Sequence, residues 1–434
     1  MSDLFIGFAG TGLLFAIIIC GAPIMLALIA VGFAGIMIMN GLVPSVSLLG
    51  TMIYPVVSAF HFSAIPMFLL MGFFAIRAGI GDDLFEACSK WFGRLPGGLA
   101  LASTGATAAF GAASGSSVGT ATLFTRLALP EMIRRGYDRG FAAASIAIAG
   151  TLAVLIPPSA LVVVYGILTN AAIGKLLIAG IVPGMIFAAL LATTVLTVAL
   201  MSPHKAPASD QRFTLKERLW SLRMIGPLAL VIFIMLGGLY AGVFTPTESG
   251  AVGAFATFIM AILRCGPRGI QLGKALTETV VLTAMIFAII LGGLIFARFL
   301  ALSGVSVFIQ DVLVNGGLDV WAVVTIVTLV YLLIGMLMDA PSLLAISLPI
   351  THPVMMSLGY DPIWFGVYVI VLAEIGAVTP PIGLNCFVVK GAAGDLVTLE
   401  QIFRGLMPFL ATAFVMLGLL LAFPEIVLWL PTKM

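Results

Sequence analysis

The run Ala113-Ser114-Gly115-Ser116-Ser117-Val118-Gly119 interrupts an otherwise apolar stretch at about 96 to 130. Each arm beside it is about 16 residues, short of the roughly 20 that cross a bilayer as a helix. The stretch therefore predicts a re-entrant helical hairpin whose tip stops inside the membrane. A second apolar stretch, 319 to 353, is built alike, with Asp339-Ala340-Pro341-Ser342 at its middle.

A constant offset of 223 relates the two. It pairs Pro130 with Pro353, Gly136-Tyr137-Asp138 with Gly359-Tyr360-Asp361, and Pro157-Pro158 with Pro380-Pro381. Six identities at one offset, three of them consecutive, mark an internal duplication. The same offset lays Ser116 on Asp339. Each half then follows one plan of span, hairpin, Gly-Tyr-Asp loop, proline-broken span and final span. Residues 62–200 hold the first repeat, with hairpin 96–130 and broken helix 140–173; residues 277–430 hold the second, with hairpin 319–353 and broken helix 362–393. Residues 1–61 supply N-terminal scaffold helices, of which 4–39 form one or two spans interrupted at Gly21-Ala22-Pro23. A basic loop and central scaffold helices fill 201–276.

Composition agrees with a membrane chain. Of 434 residues 62% are hydrophobic and 9% charged, where soluble domains carry about 25% charge. A water-facing surface cannot be built from that, which excludes soluble enzymes and disordered scaffolds. A net charge of +2 gives no footprint for nucleic acid. Cys20, Cys88, Cys265 and Cys386 stand alone, and His61, His204 and His352 follow no metal spacing. The apolar start lacks a preceding basic region, so no cleavable signal peptide is expected.

Basic residues orient the spans. Arg134, Arg135 and Arg139, then Lys205, Arg212, Lys216, Arg218 and Arg223, then Arg264, Arg268 and Lys274 all fall on one face, read as cytoplasmic. Repeat one then opens outside and repeat two inside, so the halves are inverted. The predicted fold is an all-α polytopic membrane protein of two inverted-topology repeats with re-entrant helical hairpins and proline-broken helices. Inverted repeats whose broken helices meet at mid-membrane mark secondary transporters.

Residues 111–122, Gly-Ala-Ala-Ser-Gly-Ser-Ser-Val-Gly-Thr-Ala-Thr, precede Leu129-Pro130-Glu131-Met132 and Ile156-Pro157-Pro158-Ser159. Together with Met338-Asp339-Ala340-Pro341-Ser342 and Thr379-Pro380-Pro381-Ile382-Gly383 they resemble the large membrane subunit of TRAP transporters, tripartite ATP-independent periplasmic transporters. The resemblance covers essentially the whole chain. It implies an elevator-type importer of organic acids, such as a C4-dicarboxylate or a sugar acid, in the bacterial inner membrane. It also implies sodium as coupling ion, no other cofactor and no enzymatic reaction. The implied partners are a small four-helix membrane subunit, here a separate chain, and a periplasmic substrate-binding protein.

Sodium prefers hard oxygen ligands. Small residues expose backbone carbonyls, and the breaks free carbonyls because prolines have no N–H to donate. The candidate cation ligands are Ser114, Gly115, Ser116, Thr151 and Pro157 in the first repeat, with Asp339, Gly376, Thr379 and Pro380 in the second. Candidate substrate contacts are Ser117, Ser159, Ser342 and Asn385, since half-helix N-termini after the breaks attract anions. Small residues also let helices pack closely, and Asn385 equally suits a buried amide satisfying broken backbone. Glu374, five residues before Thr379, ranks behind Asp339; for both acids an internal ion pair with Arg77 or Arg298 is the structural alternative. Two other functions compete, a stand-alone proton- or sodium-coupled anion carrier and a membrane-embedded enzyme.

Overall fold

The computed structural model describes residues 2–208 and 213–434; Arg212 of the basic loop lies outside the described residues. Every regular element among the described residues is a helix, as hydrocarbon demands of a backbone that finds no hydrogen-bond partner in lipid. Among the described residues six helices are long and apolar enough to cross a membrane, or seven if one pair bent by 49° counts as a single span.

Two separate helices, α1 (Asp3–Ile19) and α2 (Ile24–Asn40), turn into one another through Gly21 at φ 89°. Next comes α3 (Leu42–Ser58), a further scaffold helix that carries Pro44 in its first turn and Pro55 in its last. The first repeat runs α4 (Ala64–Arg77), α5 (Ile80–Phe92), α6 (Gly98–Ser114), α7 (Ser117–Arg134), α8 (Arg139–Leu155), α9 (Ala160–Thr169), α10 (Ile173–Ala179) and α11 (Ile181–Met201). The connecting pair is α12 (Leu215–Tyr240) and α13 (Pro246–Gly269). Then follow α14 (Leu272–Ser303), α15 (Val305–Gln310), α16 (Val320–Gly335), α17 (Ala340–Ser357), α18 (Pro362–Gly376), α19 (Leu384–Ala393) and α20 (Leu399–Ala422).

The duplication is visible residue by residue. Moving Ser117–Arg134 along by the 223-residue offset gives 340–357, the bounds of α17. The repeated Gly-Tyr-Asp has a backbone cause. Gly136 and Gly359 stop α7 and α17 with φ of 81° and 83°, a left-handed conformation that only glycine adopts freely. Asp138 then accepts from Phe141 N, and Asp361 from Ile363 N and Trp364 N, capping the next helix.

Several expected boundaries are corrected. Pro130 and Pro353, read as hairpin ends, lie inside α7 and α17; the glycine six residues later is the terminator. The break in the helix expected over 140–173 covers only 156–159, because α8 stays helical through Leu155 and so includes Thr151. Within the central scaffold, Thr245 caps α13, and Glu248 reaches back to the Thr245 N–H at 2.8 Å. The charged helix α5 carries Asp82, Asp83 and Lys90, and Asp83 pairs with Arg264 of α13.

Burial separates an inner body from its surroundings. Buried residues number 15 of 17 in α6, 16 of 17 in α8 and 14 of 15 in α18, against 5 of 26 in α12. A helix apolar and buried all round belongs to a core, one buried on a stripe to a periphery. The opening helix of each repeat leans outward, α4 on α13 and α14 on α2, while both also touch α9 of the inner body.

Candidate functional site

At the first tip, Gly115 ends α6 at φ 58° and donates its N–H to Gly111 O at 2.9 Å. A Cβ there would stand 3.0 Å from Pro158 O, so the tip lies directly on the first break. On its other side Gly72 of α4 lets that helix ride over the tip, since a Cβ would meet the Ser114 Cα at 2.9 Å. The tip's hydroxyls are committed locally. Ser114 Oγ and Thr120 Oγ1 share a hydrogen at 2.5 Å, and Ser116 Oγ accepts from Gly119 N at 3.2 Å to cap α7. Ser117 reaches across the repeats, donating to Glu374 Oε1 at 3.2 Å.

The second tip is organised otherwise. Asp339 stands at the N-cap of α17, yet its carboxylate caps no amide and makes no ion pair or hydrogen bond among the described residues. Its expected partner Arg77 instead pairs with Glu278 at 2.8 Å, and Arg298 is exposed. The second break spans 377–383, longer than 156–159 in the first. Asn385 N, just beyond it, donates to Ala377 O at 2.9 Å. Glu374, 4% exposed, keeps Oε2 unbonded, and Asn385, 1% exposed, keeps both amide atoms unbonded. The Asn385 side chain lies beside the Glu374 carboxyl without a hydrogen bond of normal geometry.

One cavity of about 370 Å³ joins these parts, within the range of small-molecule sites. Five pairs of residues one offset apart line it: Ser116 with Asp339, Ser117 with Ala340, Val118 with Pro341, Val154 with Ala377, and Leu161 with Leu384. Both repeats thus present equivalent faces to the same space. Its remaining wall comes from α4 and α14, chiefly Leu69, Phe73, Leu282 and Ile286.

Of the residues singled out from sequence, Ser114, Gly115, Ser116, Ser117, Asp339 and Asn385 line the cavity. The others stand outside its lining. Thr151 is helical and donates to Ile148 O at 2.7 Å; Thr379 donates to Ile375 O at 2.6 Å. Ser159 caps α9 through Val162 N. Pro157-Pro158 and Pro380-Pro381, both cis, shape the breaks behind the wall. Gly376 serves close packing, since a Cβ would come within 2.8 Å of the Gly335 Cα. Ser342 is 1% exposed with an unbonded hydroxyl, one turn below the tip. Glu374, ranked second from sequence, is in the lining. Its offset partner Thr151 was the available signal, because a carboxyl replacing a hydroxyl at one register of a duplicated buried helix needs a reason.

The chain resembles known proteins over nearly its full length. It is 37% identical to the C4-dicarboxylate TRAP transporter large permease protein DctM of Pseudomonas aeruginosa over 369 residues, 85% of each protein. It is 31% identical to the isethionate TRAP transporter permease protein DctMQ of Oleidesulfovibrio alaskensis, covering 91% of this chain but 61% of that one. In three dimensions it matches the crystal structure of the Alcanivorax borkumensis YdaH transporter, described as having an unusual topology. That match has a TM-score of 0.61 at 13% identity and covers 88% of this chain and 89% of the other. A duplicated hairpin fold around one shared cavity is thus matched by a transporter structure, and residues 11–426 fit the family described as tripartite ATP-independent periplasmic transporter, DctM component: the chain belongs to that family of large permease subunits.

Proposed function

We propose that this permease imports an organic anion into the cell across the inner membrane by sodium symport, receiving it from a periplasmic binding protein and working with a small membrane subunit. The observation that carries the reading is the cavity lined by equivalent residues of both repeats. A site between two like faces can be presented to either side of the membrane. Hydroxyls and carbonyls of 114–117 and the free carboxylate of Asp339 are hard oxygen donors suited to sodium. Bound cations would offset the cost of taking a carboxylate through low dielectric. The buried body of α6, α8 and α18 against lipid-facing α12 fits an elevator, in which the body slides past a fixed scaffold. The longer DctMQ relative supports the partner assignment, its extra sequence being read as the small subunit in fused form.

Proteoliposomes holding the full complex test the coupling. Uptake should collapse when external sodium is replaced by potassium or choline. A second reading, proton coupling, is favoured by Glu374, an acid buried in the cavity without a basic partner. Uptake driven by a pH gradient in sodium-free buffer would replace the first reading with the second.

A further inference from the structure

The cavity holds two acids and no base. Among the residues that line it, Asp339 and Glu374 carry ionisable side chains, and neither Lys, Arg nor His is present. Leu69, Phe73, Leu161, Leu282, Met285 and Ile286 make most of the remaining wall apolar. A ligand with a carboxylate at each end would turn its second charge toward this apolar wall, which offers neither a basic side chain nor the tip oxygens that would hold sodium. Such a charge costs several kcal/mol unless paired.

The polar end has its own demand. Ser116 and Ser117 open α7, whose N-terminal amides favour one carboxylate. Beside them, joined through the Ser117–Glu374 hydrogen bond of 3.2 Å, lie three uncommitted atoms: Glu374 Oε2 and the amide O and N of Asn385. Two of the three are acceptors. Acceptors buried without a donor are costly, and a donor on the ligand would satisfy them.

From this we infer that the cavity takes a small monocarboxylate with an apolar chain and a hydrogen-bond donor, hydroxyl or ammonium, beside the carboxylate, and rejects dicarboxylates of similar length. The inference rests on the transport reading above and narrows its substrate class, departing from the dicarboxylate in the name of the Pseudomonas relative.

Because a binding protein adds selectivity of its own, the test uses the purified full-length permease, with any membrane partner that co-purifies. Thermal shift and calorimetry are run with alpha-hydroxyisocaproate, leucine, isocaproate, succinate and malate, in sodium and in choline. Alpha-hydroxyisocaproate or leucine should bind at least about tenfold tighter than malate, and isocaproate, which lacks the donor, should bind more weakly than the better of them. The hydroxy acid and the amino acid distinguish the two donors. Leu282→Arg, adding a base on α14, should raise affinity for malate. Malate or succinate binding as tightly as the branched acids overturns the inference, as does the absence of any shift with all five, or an unchanged malate affinity in folded Leu282→Arg. A preference for the branched acids that is the same in choline supports the inference and removes sodium coupling instead.

Discussion

Ser116 and Asp339 occupy one register of the two repeats, both at the N-cap of a hairpin's returning arm and both lining the cavity. The serine is spent on its own helix, capping Gly119 N at 3.2 Å, whereas the aspartate carboxylate has no hydrogen-bond or ion-pair partner among the described residues. The same contrast holds deeper in: Thr151 bonds within α8, while Glu374 at the equivalent place keeps one oxygen free. Duplication gave both halves a common frame, but at these two registers the first repeat uses its polar atoms to hold shape and the second leaves them available. Ligand binding should therefore be more sensitive in the second repeat, and folding in the first.

The sharpest way to break that contrast is to exchange charge for shape. Asp339→Asn keeps the size and removes the charge; sodium-dependent uptake should fall by roughly ten- to hundredfold, the worth of one charged hydrogen bond, with little change in melting temperature. Ser116→Ala should do the reverse, costing about 1 kcal/mol of stability as a lost cap and only a few-fold in uptake. Uptake and thermal melting on the two variants side by side check this. A larger transport defect in Ser116→Ala than in Asp339→Asn would reverse the assignment of roles.

A second test concerns the tips' backbones. Gly115 needs its φ of 58° and its 3.0 Å approach to Pro158 O, while its offset partner is Met338, whose N–H bonds Ile334 O at 3.2 Å in an ordinary turn. Gly115→Ala should cost about 2 kcal/mol in left-handed strain alone, read as a lower melting temperature and loss of uptake. Met338→Ala at the second tip, 6% exposed, removes side-chain packing and no backbone constraint, and its uptake should survive better. Equal transport loss in both would mean that the tips are shaped by the same means.

The sequence made the frame legible because repeated turn chemistry is local. A left-handed glycine, a capping aspartate and a Pro-Pro break announce themselves wherever they occur, and 223 residues apart they do so twice. Which polar side chains enter the cavity was less legible, since that depends on how α7, α8, α18 and α19 rotate against one another. Thr151, Thr379 and Ser159 satisfy their hydroxyls within their own chain segments, a habit of Ser and Thr that sequence alone cannot separate from ligand binding. Gly376 looked like an exposed carbonyl and is a helix crossing. In α5 the charges concealed a helix, because its stability comes from the Asp83–Arg264 pair and a buried face that includes Ile80, Leu84 and Ala87.

The finest contrast lies in the two repeated tyrosines, which share a motif and differ in use. Tyr137 Oη accepts the N–H of Leu99 at 3.1 Å, tying the Gly-Tyr-Asp turn to the start of the first hairpin arm. Leu99 sits in the first turn of α6, where an amide has no partner within the helix, so removing the hydroxyl leaves a buried donor unmet. Tyr360 instead stacks on Trp364 with ring centroids 4.8 Å apart, and its hydroxyl has no partner among the described residues. Tyr137→Phe should therefore cost about 1 kcal/mol, and Tyr360→Phe, which keeps the ring, less than about 0.5 kcal/mol. Thermal melting of the two single variants measures the difference. A matching loss in both would show the second turn held by a hydroxyl contact as well, and the pattern of a first repeat committed to shape would then extend to the Gly-Tyr-Asp turns of both.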